Sequence, residues 1–78
     1  MEIKADIVHD ATGTYCPIPI TELAKVAKKA EKGQIIELLA DDEGAIQDVP
    51  AWCQTTGNEF LGYKEEDGIL HFYIRKVQ

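Results

Sequence analysis

Gly13-Thr14-Tyr15-Cys16-Pro17-Ile18-Pro19-Ile20 decides how this chain of 78 residues folds. Two prolines one residue apart break a helix everywhere except in its first turn, where no N–H has an intrahelical partner. With Cys16 as N-cap, Pro17 takes the first helical position, which its fixed φ already suits. Pro19 follows two places later, still among the unpartnered donors. The residues downstream agree with this start. Ile20, Leu23, Ala24, Ala27 and Ala30 recur at i, i+3, i+4, i+7 and i+10 and form one apolar face. Gly33 stops the helix, which is predicted over residues 17–32.

That geometry places a thiol at the mouth of a helix. A helix N-terminus carries roughly half a positive charge and unpaired N–H donors, and both favour thiolate over thiol. A free cysteine titrates near ~8.5, and such positions can bring it to about 3.5–7.5. Cys16 is therefore the candidate reactive residue. Gly13 gives the preceding loop a tight turn, and Asp10 is expected to hydrogen-bond loop amides. The competing reading makes Cys16 a small buried hydrophobe at a helix start.

Composition limits what the rest can be. A chain this short is one domain, residues 1–78, burying about 60–65% of its unfolded surface. Two cysteines allow one internal disulfide at most, which is no secreted disulfide framework. No signal pattern opens the chain and no apolar run approaches the ~20 residues of a membrane span. A cytoplasmic, reducing location is expected, with no membrane partner. The formal net charge of −6 argues against nucleic acid as a direct partner. Charge is uneven, however. Lys25, Lys28, Lys29 and Lys32 line the first helix, while residues 41–67 hold eight acids and one lysine. The lysine stripe reads first as a solvated face and second as a rim for an acidic partner.

In chain order, Ile3, Ala5 and Ile7 alternate with Lys4 and Asp6, predicting a strand that ends near residues 8–10. Residues 34–40 form an interior strand. Asp41-Asp42-Glu43-Gly44 suits the positive start of a second helix; it lacks the oxygen spacing of a Ca²⁺ loop, so no metal site is expected. The second helix covers Ala45 to Thr56, with Pro50 either kinking it or marking a restart capped by Asp48, and with Cys53 on its core face. Strands over residues 59–65 and 69–76 are joined at Glu66-Asp67-Gly68, a strong hairpin signal. Leu70, Phe72 and Ile74 point to the core. His71 points to the opposite face, too exposed to act as a base for Cys16, and His9 is read as surface. The order β-α-β-α-β-β gives an α+β fold, a two-layer sandwich of a four-stranded mixed sheet with two helices on one face.

Asp10-Ala-Thr-Gly13-Thr-Tyr-Cys16-Pro17-Ile-Pro19 resembles the D-x-x-G-x-x-C-P-x-P signature of the TusA/SirA family of small sulfur carriers. Asp41-Asp42, Asp48-Val49-Pro50, Cys53, Gly57-Asn58-Glu59 and Ile74-Arg75-Lys76 fall where that family has similar residues. The resemblance implies a βαβαββ fold and a motif cysteine that carries persulfide sulfur from a cysteine desulfurase, a rhodanese-like protein or thiosulfate to an acceptor protein. It assigns that sulfur to Cys16, the helix opening to Pro17 and Pro19, and the loop to Gly13 and Asp10. It implies a sulfurtransferase that relays rather than catalyses alone, a monomer without cofactor, serving tRNA thiolation, cofactor synthesis or sulfur oxidation. Ile18, Tyr15 and Gly44 depart from the usual pattern, and the first two make the site more apolar. Three rivals stand beside this reading: a regulatory or binding module without sulfur transfer, a Cys16/Cys53 dithiol switch, and RNA binding by fold analogy, against which the acidic balance counts.

Overall fold

The alternation of residues 35–40 puts every second side chain on one side of a central strand, and the rest of the molecule is layered on that side. The computed structural model describes residues 3–14 and 18–77. Its elements are β1 (Ile7–Asp10), α1 (Ile18–Lys29), β2 (Ile35–Ala40), α2 (Ala45–Thr56), β3 (Glu59–Glu66) and β4 (Ile69–Arg75). The sheet order is β1-β2-β4-β3, with β1 parallel to β2 and the other two pairings antiparallel. This is the expected α+β sandwich with a mixed sheet.

The register explains the core. Ile36 pairs with Ile74, Leu38 with Phe72 and Ala40 with Leu70. All six are buried, and they form one cluster with Leu23 and Ala27 of α1, Ala30 just beyond it, and Ala45, Val49 and Cys53 of α2. Both helices therefore cover the same face. The other face carries Glu37 opposite Tyr73 and Leu39 opposite His71. Asp67 and Gly68 both take positive φ, 52° and 80°, which is the twist a two-residue hairpin turn needs.

Several expectations need correction. β1 starts at Ile7 rather than Ile3, although burial alternates from Ile3 onward. Its partner strand begins at Ile35, whose carbonyl accepts the Asp6 N–H at 2.8 Å, so residues before Asp6 have no ladder to join. α1 ends at Lys29, not at residue 32. One more helical turn would require the Glu31 N–H to bond the Ala27 carbonyl. Both groups are diverted: the Gln34 side chain takes the Glu31 N–H, and the Lys76 ammonium donates to the Ala27 carbonyl. A lysine there also meets the negative end of the helix. Ala24, placed on the core face by spacing, is exposed. Of the two alternatives at Pro50 the restart fails: α2 is one continuous helix, and Asp48 lies in its first turn rather than capping a second segment. Val49 and Cys53, buried on either side of Pro50, hold the helix to the sheet despite the one backbone donor lost.

Candidate functional site

The loop between β1 and α1 leads to the motif cysteine, and its described part is tied down residue by residue. The Ala11 N–H donates to the Leu39 carbonyl at 2.8 Å, prolonging the parallel pairing by one residue. The Asp10 carboxylate accepts the Thr12 N–H at 2.9 Å and the Thr12 hydroxyl at 2.6 Å. These two bonds, the hydroxyl first, hold the Asp10 carboxyl below its ordinary value of 3.8. The Thr14 hydroxyl donates to the Ala11 carbonyl at 2.6 Å. Gly13 has φ of +81°, a conformation that L side chains rarely adopt. Its N–H is shared between the two carboxylate oxygens of Asp41, at 3.2 and 3.1 Å.

Tyr15, Cys16 and Pro17 lie outside the described residues. The chain is described again from Ile18, the first residue of α1, which is 45% exposed. Pro19 is buried in the first turn. That turn contains no acidic residue, so no carboxylate of its own offsets the positive end of the helix. The first acid, Glu22, comes a turn later and is drawn aside. It accepts from His9 at 3.2 Å and pairs with Lys25 at 3.6 Å. His9 is thus not a free surface residue; its half-buried ring ties β1 to α1. Lys25, Lys28, Lys29 and Lys32 are exposed, as a solvated stripe would be.

Asp41 has a different role from the one its place in the sequence suggests, which is to serve the start of α2 together with Asp42. Only Asp42 does so, accepting the Gly44 N–H at 3.2 Å. No sequence signal marks the link from Asp41 to Gly13, because the two stand 28 residues apart and meet only through the β1–β2 pairing.

Cys53 sits on the core face of α2 at 2% exposure. Burial pushes its thiol up to about 11, away from thiolate chemistry. His71 does face away from the helices, but it is not exposed: its Nδ1 lies 2.6 Å from Glu37, and both side chains retain 18% exposure. Beside them Tyr73 is buried, which raises its hydroxyl above the ordinary value, with the Glu37 charge adding to the effect. This polar group lies across the sheet from the helices. Among the described residues no three His, Cys, Asp or Glu side chains gather to hold a metal ion, and no helix is long and apolar enough to cross a membrane.

Residues 7–76 match the family model described as "Sulfurtransferase TusA". The chain is 42% identical to the putative sulfur carrier protein YrkI of Bacillus subtilis over 74 residues, covering 95% of this chain and 99% of that protein. It is also 42% identical to the putative sulfur carrier protein YrkF of the same organism, but there it spans only 40% of the relative's length. Against the sulfur carrier protein TusA of Allochromatium vinosum it is 40% identical over 67 residues, 86% of this chain and 88% of that one. The crystal structure of a SirA-like protein from Desulfitobacterium hafniense superposes with a TM-score of 0.79 at 28% identity, covering 92% of this chain and 99% of that one.

Proposed function

This chain belongs to the TusA sulfurtransferase family, and from that premise we propose that it relays sulfur as a persulfide on Cys16 between a donor and an acceptor protein. The Cys16 thiolate attacks the outer sulfur of a donor persulfide. A sulfur–sulfur bond forms on Cys16, the donor's sulfur–sulfur bond breaks, and the donor leaves as a thiolate. The acceptor's nucleophile then takes the outer sulfur and Cys16 returns to thiolate. Rate in such exchanges follows thiolate fraction and access. The observation that carries the reading is the acid-free first turn of α1, two residues after Cys16, whose positive end favours an anionic sulfur. In this reading Pro17 and Pro19 open the helix without breaking its bonds, and Asp10 and Gly13 shape the loop before it. Exposed Ile18 supplies apolar contact to docking partners.

The buried Cys53 argues against the dithiol alternative, since a resolving thiol must reach its partner as a thiolate. Intact-mass measurement after incubation with a cysteine desulfurase and cysteine, or with thiosulfate and a rhodanese, tests the relay. The expected product is heavier by one sulfur, loses it to reductant, forms equally in Cys53→Ser and is absent in Cys16→Ser. Sulfur retained by Cys16→Ser, or none taken by the unaltered protein, overturns it.

A further inference from the structure

We propose that Asp41 is a positioning residue for the loop that precedes Cys16, holding the Gly13 N–H fixed relative to β2 and so setting the reactivity of the Cys16 thiol. The inference rests on the reading of Cys16 as the sulfur carrier and adds the residue that anchors the loop before it. Asp41 follows directly on Ala40, the last and fully buried residue of β2, so its main chain is anchored in the core. The loop it reaches is anchored to the same strand by the Ala11–Leu39 hydrogen bond. Between these fixed points Asp41 gives both carboxylate oxygens to one N–H, three residues before Cys16.

Satisfying that N–H is not a sufficient reason for the contact. Asp41 and Gly13 are both exposed, and water would serve an exposed amide nearly as well. What water cannot do is fix the amide relative to β2. Local bonds from Asp10 and Thr14 shape the loop internally. The Asp41 bond is the one among the described contacts that ties Gly13 to a different part of the chain. Gly13 takes positive φ there, and a Cβ on it would meet nothing within 4 Å, so backbone conformation rather than crowding calls for glycine. A displacement of about 1 Å at a reacting group can cost about a hundredfold in rate, so an anchor of this kind bears directly on sulfur uptake.

Two variants separate the anchor from the charge. Asp41→Asn keeps an oxygen acceptor and loses the charge; Asp41→Ala loses both. The pH profile of Cys16 alkylation by iodoacetamide, which needs no sulfur donor, is compared between them. The expected result is an Ala profile displaced to higher pH than the Asn profile, with alkylation at neutral pH about tenfold slower, one pKa unit's worth. Sulfur loading should fall in the same order, with Asn rescuing most of the loss seen in Ala. An Ala profile that coincides with the Asn profile, or lies below it, overturns the proposal. A third measurement covers the case in which the Ala variant does not fold: amide hydrogen exchange at Gly13 in the unaltered protein. Protection is expected, and exchange at the rate of a free amide overturns the anchor whatever the variants do. If the unaltered protein takes up no sulfur, the relay fails while the alkylation and exchange results still decide the role of Asp41.

Discussion

Of the two cysteines in the sequence, Cys16 stands two residues before α1 and Cys53 lies within α2, and the two helices offer opposite settings. α2 meets its own positive end: Asp42 accepts a loop N–H just before it and Asp48 sits in its first turn. Its cysteine comes two turns later on the face that packs against the sheet, beside Val49 and within the core cluster. α1 has no acid in its first turn, and its cysteine precedes the helix. One helix neutralises its end and uses sulfur as packing. The other carries no acid in its first turn, two residues after Cys16. On the relay proposed above, position along a helix divides the two thiols, since the residue type is the same.

The contrast is broken most sharply by reactivity. With its thiol pushed up from an ordinary 9.0 to about 11, Cys53 carries roughly a hundredfold less thiolate near neutral pH than an unperturbed thiol. Burial adds a barrier to access. Iodoacetamide should therefore modify one thiol per native chain, identified by peptide mapping as Cys16, and two in denaturant. Modification of Cys53 in the native protein at the rate of Cys16 would erase the distinction between the two settings.

Stability gives the next largest effect. Cys53→Ser places a hydroxyl at a position only 2% exposed within the apolar core cluster. The loss expected in denaturant unfolding is roughly 1–3 kcal/mol. Sulfur loading should stay at the level of the unaltered protein once folded. A Cys53→Ser variant of full stability would mean that the thiol is not packed as described; one that folds but no longer loads sulfur would restore the dithiol alternative.

Much of this contrast was legible in the sequence, for a physical reason. Helical spacing and capping are local, so Ala45–Thr56 emerged with the observed bounds and Cys53 on the expected face. The Asp67-Gly68 turn was equally local. What failed was set by partners outside the element concerned. The end of α1 depends on Gln34 and Lys76 taking the two groups of one helical bond. The start of β1 depends on where β2 begins. Side-chain pairs across elements, His9 with Glu22, His71 with Glu37 and Asp41 with Gly13, leave no trace in spacing. At Pro50 the restart alternative fails because local propensity takes no account of the core contacts of Val49 and Cys53 on either side of it. Of the motif residues, Asp10, Gly13 and Pro19 have described positions in the loop and first turn, and the place of Cys16 is argued from the motif and from the helix that follows.

The smallest expected effect sharpens the α1 side of the comparison. Asp10 is held ionised by the Thr12 hydroxyl and then by the Thr12 N–H. A carboxylate whose native pKa is depressed contributes stability above its ordinary value of 3.8, and that contribution is lost as pH falls through the lower native value. The loop should therefore keep its Asp10–Thr12 turn through mildly acidic conditions and release it only below 3.8. The Thr12 amide proton resonance reports this directly. Followed downward from about pH 6, it should titrate with a midpoint below the ordinary carboxylate value and should not titrate in Asp10→Asn. A midpoint at or above 3.8 would show that the two Thr12 bonds do not favour the ionised form. The turn before Gly13 would then depend on the Ala11–Leu39, Thr14–Ala11 and Asp41–Gly13 contacts, and the loop leading towards α1 would be held less firmly than the structure has it.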